Sequence, residues 1–317
     1  MKKIVVLGGG TGLSVLLKGL KQFPLDITAI VTVADDGSSS GELRKEFDIF
    51  AVGDIRNVLV SLSEVEPLIE ELLQYRFNTD NSLNNHPMGN LLLTALYNIT
   101  GNLTESLRSL SKIFNIKGTI LPFTEENPIL IAHTKDGQVI EGESKITKAG
   151  KEIDYIKYKE KVKPTKEVIE AIDSADLIIF GIGSLYTSII PNLLSEEVKQ
   201  SLINSKAKKM YVCNIMSEHG ETDGYKVSDC IKKINSYVKD NMIDVVVVNN
   251  KEVPDSIKDR YKEETANQIE IDYDTLKDMQ VEVIEDELLD INDSLVVRHN
   301  PYRTALDIFN YIVKELK

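Results

Sequence analysis

Ile4-Val5-Val6-Leu7-Gly8-Gly9-Gly10-Thr11-Gly12-Leu13-Ser14 reads as a short apolar strand that runs into glycines and turns into a helix. Glycine lets backbone N–H groups come close to a phosphate, and a helix start adds partial positive charge there. The stretch is not the dinucleotide fingerprint, because Leu13 stands at the third glycine position. It is not a Walker A loop, because no Gly-Lys-Ser/Thr follows. The plainer alternative is a strand–helix turn that serves packing alone. Just beyond it, Leu13, Leu16, Leu17 and Leu20 fall at helical spacing and form one apolar stripe. Further runs recur at Ile27–Val33, Leu177–Phe180, Met210–Cys213, Val245–Val248 and Val281–Ile284. Strands apolar on both faces suit a parallel sheet covered on both sides. Helical stripes also stand at Leu107, Leu110, Phe114 and at Leu306, Phe309, Val313, Leu316. The alternation predicts an α/β fold with a doubly wound, mostly parallel, Rossmann-like sheet.

Two stretches leave this alternation. Residues 54–114 carry helical patterns and predict a helical block. Residues 118–163 change to short alternating pieces with turns at Asp136-Gly137 and Ala149-Gly150, which predicts a small antiparallel β insert. Thr165–Ala175 resumes as a helix. No linker or repeat interrupts the chain, so a single α/β domain over residues 1–317 is expected.

The chain has 317 residues, with 50 acidic against 37 basic side chains and a formal net charge of -13. Such a charge repels nucleic-acid backbones, so none is expected as a partner. A small phosphorylated ligand remains compatible, because local dipoles can outweigh distant charge. Cys213 and Cys230 sit among apolar neighbours and read as buried reduced thiols, and four histidines without C-x-x-C argue against structural zinc. The N-terminal apolar run stops at Gly8, unlike a signal peptide, and no stretch approaches the ~20 apolar residues of a membrane span. A cytoplasmic location is expected, with no membrane partner.

Five further segments carry polar chemistry. Val33-Ala34-Asp35-Asp36-Gly37-Ser38-Ser39-Ser40-Gly41-Glu42-Leu43-Arg44 follows the second strand. Its aspartates could hold Mg²⁺ or bond sugar hydroxyls, and Arg44 offers a guanidinium for phosphate. A solvated turn is the alternative. In Gly53-Asp54-Ile55-Arg56-Asn57, Asp54 could cap a helix or join Asp35 and Asp36 around a cation. His86-Pro87-Met88-Gly89-Asn90 precedes another helix. Phe180-Gly181-Ile182-Gly183-Ser184-Leu185-Tyr186-Thr187-Ser188 is a second glycine-rich strand end without nucleophile-elbow spacing. Asn214-Ile215-Met216-Ser217-Glu218-His219-Gly220-Glu221-Thr222 adds polar groups after the next strand. Together these loops point to a ligand with phosphates and hydroxyls, such as a nucleotide or nucleotide-sugar.

The order of these motifs resembles the CofD-like family, and most closely its YvcK branch, the gluconeogenesis factors. The resemblance rests on G-G-G-T-G at Gly8–Gly12, A-D-D-G-x-S-S-G-x-L-R at Ala34–Arg44 and G-D-I-R-N at Gly53–Asn57. H-x-x-G-N at His86–Asn90, G-S-L-Y-T-S at Gly183–Ser188, V-C-N at Val212–Asn214, G-E-T at Gly220–Thr222 and V-V-R-H at Val296–His299 complete it. It implies a Rossmann-like core that binds a UDP-sugar, notably UDP-N-acetylglucosamine, and a role in cell shape during growth on gluconeogenic carbon sources. CofD itself is a Mg²⁺-dependent 2-phospho-L-lactate transferase, so an enzyme of that type is the second reading. The implied nucleotide and phosphate contacts are Gly9, Gly10, Thr11, Gly12, Leu13, Ser38, Ser39, Gly41, Arg44, Arg56, Asn57, His86, Asn90, Gly183, Ser184, Thr187 and Asn214. Tyr261 and Arg298 are implied on the uridine side, and Asp35, Asp36 and Asp54 as ligands of a candidate Mg²⁺. A homo-oligomer is compatible with the resemblance. Against the family pattern, Ile182 replaces a Pro, Ser38 and Asn85 replace Gly, and His219 replaces a Pro. A third reading, an NAD-dependent oxidoreductase, suffers from the missing glycine and from the long Gly8-to-Asp35 spacing.

Overall fold

A computed structural model describes residues 1–64, 67–238 and 241–316. The chain begins β1 (Lys2–Gly8), α1 (Gly10–Leu20), β2 (Leu25–Val31), α2 (Ser38–Phe47), α3 (Gly53–Leu62). It continues α4 (Pro67–Gln74), α5 (Met88–Thr100), α6 (Leu103–Ile113), β3 (Thr119–Pro122). Then come β4 (Leu130–Thr134), β5 (Val139–Glu141), α7 (Glu143–Ala149), β6 (Ile153–Tyr158), α8 (Lys166–Asp173) and β7 (Leu177–Phe180). A π-helical turn at Leu185–Ile189 and a 3₁₀ turn at Ile190–Leu193 precede α9 (Glu196–Asn204). The last part holds β8 (Lys208–Val212), α10 (Val227–Val238), β9 (Val245–Asn249), α11 (Asp255–Glu263), α12 (Tyr273–Asp278) and β10 (Glu282–Asp286). A hairpin of β11 (Leu289–Ile291) and β12 (Val297–His299) leads into α13 (Pro301–Glu315).

Seven parallel strands form one sheet in the order β10-β9-β8-β7-β1-β2-β3. The chain builds outward from β1 through β2 to β3, then returns to the other side of β1 and builds through β7 to β10. The order therefore reverses between β1 and β7, where Ile4 pairs with Leu177 and Leu7 with Phe180. A crevice opens at the carboxyl ends of the strands at such a reversal.

Alternate residues of β1 feed two separate cores, as strand geometry requires. Ile4 and Val6 pack with Leu13, Leu16, Leu17 and Leu20 of α1 and with Ile308 and Ile312 of α13. Val5 and Leu7 pack on the opposite face with Val168 and Ile172 of α8, Leu202 of α9 and Ile231 of α10. A third, small cluster joins Ile215 and Met216 to Val253, Ile257 and Val297, with Tyr261 against it. It fixes α11 and the β11–β12 hairpin over the carboxyl edge of the sheet.

The structure corrects three expectations. Helix α1 starts at Gly10, inside the glycine run rather than after it. The antiparallel insert is the three-stranded sheet β5-β4-β6, while β3 pairs parallel with β2 as an edge of the main sheet. An edge strand this short lacks the long apolar run that marked the others. In α13 the buried face is Ala305, Ile308, Tyr311 and Ile312, whereas Leu306 and Val313 are exposed. Both faces are partly apolar, and the choice was made by close contact with α1 at Gly19 and Ala305. Both cysteines are buried and free. Among the described residues no helix is long and apolar enough to cross a membrane.

Candidate functional site

The crevice at the β1–β7 reversal is a cleft of about 380 Å³, within the usual range for small-ligand sites. The turn from β1 into α1 brings Gly9, Gly10, Thr11 and Gly12, and the end of β7 brings Gly183, Ser184 and Thr187. Asn214 follows β8, while Tyr261 of α11 and Arg298 of β12 close the far wall. These ten are the anticipated contacts that the fold gathers around one space. A larger cavity of about 540 Å³ lies on the other side of α11, lined by Asn249, Lys258 and Gln268 among others, and no glycine loop reaches it.

Glycine is required at position 12 by contact. A Cβ there would stand 2.5 Å from the carbonyl oxygen of Ile182, so α1 and the loop after β7 meet backbone to backbone. At Gly9 a Cβ would fall 2.8 Å from Asp54 Oδ2. The two glycine loops thus close one end of the cleft with backbone rather than side chains, which suits close approach to a phosphate.

Buried hydrogen bonds hold the opposite loop. Glu221 accepts from the Ser184 hydroxyl and, at 3.1 Å, from the Tyr186 amide. Ser184 Oγ in turn accepts from the amide and hydroxyl of Thr187 at 2.9 and 2.8 Å. The result is the π-helical turn, a rare geometry found often at functional sites. Asn214 clamps Gly183 from both sides, accepting from its amide at 3.2 Å and donating to its carbonyl at 2.9 Å, and it reaches Glu218 Oε1 at 3.3 Å. The Tyr261 hydroxyl accepts from the Val297 amide at 3.0 Å, which fixes the ring at the cleft edge. His299 Nε2 donates to the Cys213 carbonyl, and burial lowers its pKa to about 4, so it stays neutral.

Carboxyl groups dominate the electrostatics. Burial, with Asp35 next in effect, raises Asp54 to about 7. Burial, followed by Asp35, Asp54 and Asp36, raises Glu143 to about 8. Burial and the Glu221 charge raise Glu218 to about 8, opposed by Arg298, and burial also raises Glu221. Raised carboxyl values mean that the folded chain binds protons more tightly than the unfolded one. The stability this confers is complete below about pH 4 and is lost as pH rises through about 7 and 8. Unfolding free energy should therefore fall from about pH 4 to 8 and level off above, by up to ~1.4 kcal/mol per pH unit for each group. Asp54→Asn should flatten part of this slope in urea titrations, and a variant profile parallel to the wild type would contradict the burial effect.

The three aspartates do not form the expected metal cage. Asp36 Oδ1 accepts from the Ser144 amide at 2.8 Å, so the insert pulls it away, and Asp35 accepts from the Gly37 amide at 2.8 Å. Among the described residues no three His, Cys, Asp or Glu side chains stand close enough to hold a metal ion. Asp35 and Asp54 remain a pair of oxygen donors beside the glycine loop. That donor set fits Mg²⁺, which commonly takes one or two carboxylates and completes its shell with water and phosphate oxygens.

The family model described as 2-phospho-L-lactate transferase CofD matches residues 4–289. The chain belongs to the CofD family. A gluconeogenesis factor of Bacillus subtilis (strain 168) is 47% identical over 304 residues, covering 96% of each chain. One from Halalkalibacterium halodurans is 47% identical over 305 residues, covering 96% of this chain and 94% of that one. A crystal structure of a Bacillus halodurans protein superposes with a TM-score of 0.94 at 46% identity, covering 97% of this chain and 99% of that one. A second structure, titled as a member of the UPF0052 family, gives a TM-score of 0.93 at 45% identity, covering 98% and 100%.

The remaining anticipated residues of this CofD-family chain lie outside the cleft lining. Leu13 is fully buried in the α1 core. Arg44 donates to the carbonyls of Ala34, Asp35 and Pro128, so its guanidinium ties loops together. Ser38 is exposed, and Gly41 sits where a Cβ would strike the Asp36 carbonyl at 2.1 Å. Ser39 Oγ bonds both His86 Nδ1 and Asn90 Nδ2 between α2 and α5, and Arg56 donates to Asn57 Oδ1. Two departures from the family pattern have a backbone explanation. Ser38 and Asn85, which replace Gly, have φ of 43° and 62°, the left-handed region that glycine enters without penalty. Sequence reading assigned no role to Glu143 and Thr147, which the insert carries to the cleft, or to Glu218 and Glu221. The G-E-T motif was the available signal for Glu221, whereas nothing periodic marks Glu143.

Proposed function

We propose that this chain is a cytoplasmic nucleotide-sugar-binding protein whose ligand is UDP-N-acetylglucosamine, acting in cell shape during growth on gluconeogenic carbon sources. The observation that carries this reading is the single cleft where two glycine-rich strand ends face the wall of Tyr261 and Arg298. Backbone amides and the start of α1 suit the diphosphate, and an aromatic ring beside a guanidinium suits the nucleoside. The relatives named gluconeogenesis factors support the physiological part. With five carboxyl groups at or beside the cleft, an anionic ligand should bind more weakly as pH rises through about 7 to 8, where Asp54, Glu143 and Glu218 ionise.

Asp35 and Asp54 beside the glycine loop favour a second reading, a Mg²⁺-dependent transferase of the CofD type. There the cation would neutralise phosphate charge while Gly10–Gly12 and Ser184 orient the group. Calorimetric titration of UDP-N-acetylglucosamine, UDP, GDP and NAD, each with and without Mg²⁺, tests both. Saturable binding of the UDP-sugar, recovered intact after long incubation, is the expected result. Binding of NAD alone would overturn both readings.

A further inference from the structure

We propose, taking nucleotide-sugar binding in the cleft as given, that Glu143 and Thr147 of the insert are specificity-determining residues that read a neutral, hydroxyl-bearing sugar ring beyond the diphosphate.

The insert is held against the cleft at both ends of α7. At its start, the Ser144 amide donates to Asp36 Oδ1 at 2.8 Å, so an acid from the loop after β2 supplies the cap that Gly142 cannot. Gly142 has φ of 104°, and a Cβ there would lie 2.5 Å from Asp36 Oδ2. At its end, Gly150 has φ of 55° and packs on the loop after β8, where a Cβ would lie 2.9 Å from His219 Cδ2. The Ile153 amide then donates to the Gly220 carbonyl at 3.1 Å. One short helix thus bridges two loops on the ligand side of the sheet.

One turn of α7 presents two side chains to the cleft. Glu143 and Thr147 are four residues apart on the same helix face, and both line the space. Ile146 turns the other way into the core. The Thr147 hydroxyl reaches Glu143 Oε1 at 3.4 Å, a long contact that leaves the carboxyl with unused acceptor positions.

Their place along the cleft fixes which part of the ligand they meet. Arg298, on the nucleoside wall, acts on Glu218. Glu143 instead has Asp35, Asp54 and Asp36 as its strongest charged neighbours, and Asp54 stands beside Gly9. With the base near Tyr261 and the diphosphate over the glycine loops, the group beyond the diphosphate meets Glu143 and Thr147. A ring hydroxyl can donate to the carboxyl, and the Thr147 hydroxyl can donate to an acetamido carbonyl. The same acids repel a ring that carries its own carboxylate.

Calorimetric titration of UDP, UDP-N-acetylglucosamine and UDP-glucuronate into the full chain tests the assignment. Wild type should bind UDP-N-acetylglucosamine more tightly than UDP, and UDP-glucuronate at least about tenfold more weakly than the neutral sugar. In Glu143→Ala and in Thr147→Val, the ratio of UDP-N-acetylglucosamine to UDP affinity should fall at least about fivefold, the loss of one hydrogen bond. Glu143→Gln keeps an acceptor oxygen and should retain most of that ratio. Thr147 is exposed, so its variant decides the matter if Glu143→Ala does not fold. The proposal is overturned if either folded variant keeps the wild-type ratio, if UDP affinity falls in step with that of the sugar compound, or if wild type binds UDP-glucuronate as tightly as the neutral sugar. Wild type that binds neither UDP nor UDP-N-acetylglucosamine would overturn the nucleotide-sugar reading, and this one with it.

Discussion

Gly12→Val is expected to abolish nucleotide-sugar binding and to weaken the fold. At this position the added Cβ would lie 2.5 Å from the Ile182 oxygen and 2.7 Å from its carbonyl carbon. Both are backbone atoms of a buried loop, so neither can swing aside as a side-chain tip would. That loop is pinned by Asn214 on Gly183 and by Glu221 on Ser184. The start of α1 must therefore retreat, carrying the amides of Gly10 to Gly12 away from the ligand. A ligand held by aligned amides should lose at least ~100-fold in affinity, equivalent to about 2.7 kcal/mol. Overpacking should also cost about 1–3 kcal/mol of stability. Calorimetry beside urea unfolding separates the two effects. Unchanged affinity in a folded variant would remove the glycine loop from the binding site.

Gly19→Ala should do the opposite, with a large loss of stability and little effect on the ligand. A Cβ at position 19 would come within 1.9 Å of the Pro301 oxygen and 2.8 Å of Ala305 Cβ. Helix α1 crosses α13 at this point, and α13 must slide outward to admit even one methyl group. That motion unpacks Ile308 and Ile312 from the core they share with β1 and α1. A cost of about 3 kcal/mol or more is expected, at the upper end for overpacking. The site is seven residues from Gly12, roughly 10 Å along the helix, so affinity should change less than about twofold at temperatures where the variant is folded. A urea midpoint equal to that of wild type would show that α13 is not held where the structure places it.

The same two glycines show how far the sequence could be read. Gly12 reads as part of a candidate phosphate loop because it follows a β-branched run and precedes a leucine stripe, both local signals. Gly19 carried no local signal, since its reason lies almost 300 residues away at Pro301. The α13 face was misread for the same cause. Leu306 and Val313 match helical spacing as well as Ile308 and Ile312 do, and only contact with α1 distinguishes the two stripes. Edge strand β3 was absorbed into the insert because its four residues pair with β2 alone.

The candidate site divides in the same way. Gly9 to Gly12, Gly183, Ser184 and Asn214 were legible because strand ends and helix starts write themselves into short patterns. Asp35, Asp36 and Asp54 were legible as acids but not as a geometry. Whether three carboxylates share a cation depends on where the insert returns, and it returns with the Ser144 amide on Asp36 and with Glu143.

By itself the sequence determined the strand and helix periods, the sheet's buried character and the glycine-rich strand ends, because each depends on spacing within a few neighbouring residues. Tertiary structure alone decided which loops share a cleft and which acids lose their water. Those outcomes depend on the crossing order of the strands and on contacts between distant segments, and no local spacing encodes either.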